Sequence, residues 1–188
     1  MAKERIGDWF ETYTGKRFWH LDPRVEDICI EDIGHGLSNM CRFNGQSKHF
    51  YSVAQHSINC AELAERKGYG RRLQLLSLLH DAAEAYVGDI VKPLKPYLIG
   101  FKEIENRIQE VIYEALNIVP PTYTESKIVK KIDTVMLVTE ARVLTSMNGW
   151  GKWTEDVEAD EHTVITLEPI PDVENWFLFM AKGLGAKA

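Results

Sequence analysis

Cysteine is scarce in this chain of 188 residues: Cys29, Cys41 and Cys60 are the only three, and no two are spaced as CxxC. That pattern supports neither a disulfide framework nor a cysteine zinc site, and it points to a reducing, cytoplasmic compartment. No apolar run reaches the ~20 residues that cross a bilayer, so no membrane partner is expected. The start, Met1 to Arg5, leads into no apolar stretch of the signal-peptide kind. Positive charge is also in deficit, with 22 Lys and Arg against 28 Asp and Glu, a formal net charge of -6. A long nucleic acid needs a broad basic surface, so it is excluded as a partner, whereas a small anion needs only a few local cations. Repeats, low-complexity tracts and Pro/Ser-rich linkers are missing too, which argues for one domain over residues 1–188. What is present is ordinary for a globular protein: 45% apolar and 27% charged residues.

The pattern is mostly helical, with a small β-containing N-terminal part. Thr12 to Trp19 sets aromatic and β-branched residues around Gly15-Lys16, which predicts a hairpin. Asp27 to Ile33 alternates apolar and acidic residues, which reads as a short strand or a turn. Ser52 is a good N-cap for a helix carrying Val53, His56, Cys60 and Leu63 on one face, with Gly68 placed to end it. A second helix is predicted from Arg72 to Tyr86. It is apolar nearly all round, so it belongs in the middle of a bundle. Further helices are expected over Phe101 to Leu116 and Thr124 to Met147, with Gly149 to Glu168 loop-like and Val164 to Leu167 extended. A last helix from Asp172 should bury Val173, Trp176, Phe177 and Met180.

Chemistry-bearing residues sit on inward positions of these helices. His80 and Asp81 lie in a wall of leucine and alanine, where a charge is costly unless paired or bound to a metal. Neighbours on a helix point about 100° apart and can converge on one ion, and Glu84 overhangs the same spot. The plain alternative is a hydrogen-bonded His-Asp pair beside a solvated Glu. His56 shares the inward face of the preceding helix, and Asp133 stands among Val129, Met136 and Leu137, with Glu140 two turns further on. Two His and two Asp from three helices suit Zn, Mn, Fe or Co, and mixed sites of this kind also take Mg.

The set resembles the HD-domain phosphohydrolase superfamily, in its 5'-deoxynucleotidase and small dNTP triphosphohydrolase branch. Tyr51-Ser52-Val53-Ala54-Gln55-His56-Ser57 is similar to that branch's first-histidine motif, with Gln55 where Glu is expected. His80-Asp81-Ala82-Ala83-Glu84 through Gly88-Asp89, followed by Pro93-Leu94-Lys95, resembles its HDxxExxxGD signature. The resemblance implies an HD helical bundle and a divalent metal ion (Zn, Co, Mn or Mg) held by His56, His80, Asp81 and Asp133. It assigns Glu84 to positioning or activating water, and Asp89 to protonating the leaving 5' oxygen or stabilising the water. Arg42 would grip phosphate, and Phe43 would crowd the sugar 2' position. Lys95 would neutralise phosphate, His35 would line the substrate pocket and Trp19 would stack a base. The implied substrate is a deoxynucleotide, cleaved to deoxynucleoside plus phosphate or triphosphate. A nucleotide-binding regulator without turnover is the rival. Relatives of this kind commonly self-associate, which implies a homo-oligomer, and the aromatic C-terminal helix is free to pack on a partner or on its own bundle.

Overall fold

The structure, a computed structural model, describes residues 4–146 and 156–187. An antiparallel pair opens it: β1 (Phe10–Glu11) against β2 (Arg17–Phe18), with Phe10 opposite Phe18. Gly15 takes a φ of 81° in the turn between them, a left-handed conformation that glycine adopts without a Cβ clash.

Seven helices follow among the described residues: α1 (Ile30–Asn39), α2 (Val53–Arg66), α3 (Arg71–Leu78), α4 (Glu84–Val87), α5 (Phe101–Ala115), α6 (Tyr123–Leu144) and α7 (Ile170–Leu184). The predicted strand or turn at 27–33 is instead a short 3-10 turn, Val25–Asp27, followed by the start of α1. Gly34 and Gly36 weaken the helical signal there, but tertiary packing overrides it. Ile30, Ile33 and Leu37 are buried on one face, and a Cβ on Gly36 would stand 3.1 Å from that of Ala85, so the glycine lets α1 approach α4 closely.

The hub is α2, which packs against α1, α3, α6 and α7. Ser52 caps it as expected, accepting a hydrogen bond from Gln55 N at 3.1 Å. The leucine-rich segment differs from expectation. It does not run unbroken from Arg72 to Tyr86: α3 stops at Leu78, and α4 restarts at Glu84. The cause lies on α5. Gln109 donates from Nε2 to Leu79 O at 2.9 Å and accepts at Oε1 from Ala83 N at 3.0 Å. Those two backbone groups are the i, i+4 pair that would have closed the helical turn, so one inserted amide opens the helix at its partners' expense. His80 and Asp81 sit in that opening.

Two other expectations change. Trp176 is 48% exposed on α7, because the inward stripe of that helix is Val173, Phe177 and Ala181, and Met180 is only partly buried. Val164 to Leu167 forms no strand. Positions 147–155, which take in the expected helix end at Met147 and the start of the expected loop at Gly149, lie outside the described residues. No helix among the described residues is long and apolar enough to cross a membrane.

Candidate metal centre and cavity

Four side chains converge where the α3–α4 break, which carries two of them, faces α2 and α6. His56 Nε2 lies 3.2 Å from Asp133 Oδ1 and 3.9 Å from Asp81 Oδ2. His80 Nε2 lies 3.1 Å from Asp81 Oδ2 and 3.8 Å from Asp133 Oδ1. Donors bound about 2.0–2.2 Å from one small divalent cation stand roughly 3–3.5 Å apart; the 3.1 and 3.2 Å spacings match the edges of such a polyhedron, and those at 3.8 and 3.9 Å are longer.

The tautomers point the same way. His80 Nδ1 is 2.8 Å from Ser77 O, and a carbonyl only accepts, so Nδ1 carries the proton. The opposite nitrogen, Nε2, is buried and has no hydrogen-bond partner of good geometry. His56 Nδ1 is 2.8 Å from Glu140 Oε1, which likewise leaves Nε2 to face Asp81 and Asp133. Two imidazole lone pairs therefore confront two carboxylates. That arrangement repels itself unless the imidazoles are protonated or a cation sits among the four groups. Burial disfavours a charged His56, and Arg42 adds to that, but Cys60, Glu140 and Asp133 together prevail and hold its pKa well above the ordinary value. At His80, burial is likewise overridden by Asp81 and Asp133. Burial pushes the Asp81 and Asp133 carboxyls up, and the two imidazoles pull both below their usual range. Imidazole nitrogens backed by a carboxylate and a carbonyl, beside two carboxylates, are a donor set that fits a divalent cation.

Cys60 is also close, one turn after His56, and with His56 and His80 it forms a group of donor atoms within 4.8 Å of one another. Its sulfur is 3.5 Å from His56 Nε2 and 3.9 Å from Nδ1. Near-equal distances to both ring nitrogens place the thiol alongside the imidazole, not in line with the Nε2 lone pair. It packs there with Leu63, Ile132 and Met136.

Behind the four groups stand residues to which the sequence reading gave no role. Glu140, fully buried, accepts from Tyr51 OH at 3.0 Å and ion-pairs with Arg42 Nε at 3.1 Å, besides holding His56. Lys130 pairs with Asp133 Oδ2, leaving Oδ1 toward the histidines. Glu140 is seven residues after Asp133 and so shares its helix face; that spacing singled it out in the sequence, but not its hold on His56 and Arg42.

In front lies a cavity of about 750 Å³, within the range of small-molecule sites. Arg42, Phe43, His80, Asp81, Glu84, Asp89, Lys92, Lys95 and Asp133 all line it. Phe43 and Asn44 adopt φ of 56° and 52°, an uncommon left-handed backbone for such residues that fixes Phe43 at the wall. Burial, then Asp81 and Asp89, raise the Glu84 carboxyl well above its usual range against the pull of Lys95. Burial also lifts Asp89, opposed by Arg42.

Two sequence candidates are corrected. His35 does not line the cavity; it stacks on Tyr13 at 3.7 Å and meets Glu174 of α7 at 3.1 Å. Trp19 is also absent from the lining and packs beside Trp9 with Arg5 4.2 Å above its ring. Both are surface-side packing groups of the N-terminal part. His49 is exposed.

A family model described as HD domain matches residues 37–131. The chain belongs to the HD-domain family. Its members are generally metal-dependent hydrolases, and the matched stretch of this HD domain runs from before Arg42 past Lys95, while Asp133 and Glu140 lie just beyond it. The chain is 41% identical over 136 residues to the uncharacterised protein YfdR of Escherichia coli (strain K12), covering 72% of each chain. It is 41% identical over 110 residues to an uncharacterised protein of Rhodobacter capsulatus, covering 56% of each.

Proposed function

We propose that this HD domain hydrolyses deoxynucleotides at the bond to the 5' oxygen, using a divalent cation held by His56, His80, Asp81 and Asp133. The products would be deoxynucleoside plus phosphate from a monophosphate, or plus triphosphate from a dNTP such as dATP. The observation that carries this reading is the confrontation of two Nε2 lone pairs with two carboxylates at the floor of a cavity that also holds Glu84, Asp89 and Arg42.

A cation bound there supplies positive charge to the phosphoryl oxygens and acidifies the attacking water. The remaining roles fall to the chain. Arg42 presents a planar fork to the phosphate. It is only 7% exposed and is anchored through Glu140, so its direction is set before substrate arrives. Glu84 accepts the proton of the attacking water. As the water oxygen bonds to phosphorus, the bond from phosphorus to the 5' oxygen breaks, and Asp89 delivers a proton to that oxygen. Burial raises the Asp89 carboxyl, the direction that favours the protonated, donating form. Phe43 walls the sugar side.

The test is a panel of dNMPs and dNTPs, each with Mn, Co, Zn or Mg, scored for phosphate and triphosphate. Release of either, dependent on metal and weaker with ribonucleotides, supports the reading. Metal-loaded protein that binds the nucleotides tightly and hydrolyses none refutes it in favour of a regulator.

A further inference from the structure

Lys95 belongs to the sequence motif, and its expected partner was phosphate. Its surroundings say otherwise. Lys95 Nζ lies 3.1 Å from Glu84 Oε1 and 2.8 Å from Glu105 Oε1, and 5.9 Å from the centre of the Phe101 ring. An ammonium has three donors, and the two carboxylates take two of them. Glu105 is nearly buried, and among the described residues its other oxygen meets the exposed Lys102 at 3.5 Å, so pulling Lys95 away would leave a buried carboxylate poorly paired. On Glu84 the two oxygens differ. Oε1 is held by Lys95, whereas Oε2 is buried and without a hydrogen bond.

We propose that Lys95 and Glu105 are positioning residues that clamp Glu84 Oε1 and leave Oε2 as the one oxygen that takes the proton of the attacking water. Gln109 stands one turn after Glu105 on α5 and splices the break that carries His80 and Asp81. One face of α5 therefore sets both the water-activating oxygen and the backbone of the metal-binding pair. The inference rests on the hydrolase reading above.

Kinetics of three variants, all in the full chain with metal bound, test it. Lys95→Met should lower kcat on the order of 10- to 100-fold with KM little changed, as misplacement of a reacting group does. Lys95→Arg should recover most of the loss, and Glu105→Gln should lower kcat in the same direction. The groups facing Glu84 are Asp81 and Asp89 on its own segment and Lys95, backed by Glu105 and Lys102 of α5. Without the ammonium, the acid limb of the kcat profile should move to higher pH. A phosphate clamp would show the opposite split: Lys95→Met would raise KM at constant kcat, and Glu105→Gln would be harmless or would tighten substrate binding. That result overturns the proposal. If the wild type hydrolyses no nucleotide, the hydrolase reading fails by itself. The clamp is then judged from the carbon-13 titration of the Glu84 carboxyl, whose midpoint should rise in Lys95→Met; an unmoved midpoint refutes the contact.

Discussion

Two regions of this molecule gather histidine, arginine and aromatic side chains. Around the N-terminal hairpin, Arg5 forks onto Asp27 at 2.6 and 2.7 Å, Arg17 lies 4.4 Å over Trp9, His20 meets Tyr86 O at 2.8 Å, and His35 is shared between Tyr13 and Glu174. Each of these groups is spent on the fold. At the α2, α3–α4 and α6 junction, the residue types are similar but the accounts do not close: His80 Nε2 and Glu84 Oε2 are buried and unpaired beside a cavity. Buried polar groups are nearly always hydrogen-bonded. Residue type therefore separates the two regions poorly. The buried Tyr86 hydroxyl, stacked on Phe18 beside the hairpin, also lacks a hydrogen bond, so what sets the junction apart is that an imidazole and a carboxylate there are left unpaired beside a cavity.

The largest effect that would break the comparison is on turnover. Glu84→Gln should reduce kcat by about 10²–10⁴-fold, the usual worth of a positioned acid or base, while metal content by atomic absorption stays that of the wild type. Trp19→Leu and His35→Gln should leave kcat and KM for the same nucleotide near wild-type values. If either N-terminal variant lost as much activity as Glu84→Gln, the division into spent and unspent groups would be wrong.

Metal affinity is next. Glu140 holds the His56 proton at Nδ1 from full burial, and outer partners of this kind are typically worth 10–100-fold in metal affinity. Glu140→Gln should weaken binding by that factor in a competition titration with a chelating dye, with far-ultraviolet circular dichroism unchanged. Asp27, equally buried but paired with Arg5, supplies the control: Asp27→Asn should lower stability and leave metal affinity alone.

Much of this was legible in the chain itself, and the illegible part has a common cause. The cap at Ser52, the inward face of α2 and the His80-Asp81-Glu84-Asp89 spacing are local patterns, and the structure brings those side chains together with Asp133. The break between α3 and α4 is not local, because it depends on Gln109, a polar residue on α5 that nothing nearby in sequence links to Leu79 or Ala83. The same holds for Glu105 behind Lys95. His35 and Trp19 failed for the converse reason. Their types suit a pocket, but their partners lie elsewhere in the chain, Glu174 on α7 and Arg5 ahead of β1. Pattern finds the groups, while distant partners decide which are free.

Stability should respond to metal more than to any surface pairing. A ligand that binds only the folded state at about 100 times its Kd adds about 2.7 kcal/mol, or roughly 5–10 °C in Tm for a chain of this size. Added Mn, Co or Zn should produce that rise in a thermal scan, and a chelator should reverse it. Both imidazoles must give up protons to ligate, and their folded-state pKa values are raised. The metal-induced rise should therefore shrink as pH falls. An unchanged Tm with every metal would mark the junction as a structural ion-pair cluster.

The smallest effect sharpens the comparison within one helix. Glu125 and Asp133 both lie on α6, and both carboxyls are depressed, but Glu125 is spent. Arg72 at 2.6 Å and the backbone and hydroxyl of Thr122 bring it down to about 2 from 4.5. A depressed carboxyl stabilises the fold fully above its unfolded pKa, and the contribution is lost as pH drops through the folded value. The window is therefore from about pH 4.5 down to about pH 2. The pair sits at the surface, so screening holds the gain, capping box included, to about 1 kcal/mol. Glu125→Gln should lower Tm by a few degrees at pH 7, and the gap to wild type should close toward pH 2, with metal affinity untouched throughout. A loss of metal binding in this variant would mean that the α6 N-terminus is coupled to Asp133, and that the boundary between the two kinds of carboxylate runs elsewhere.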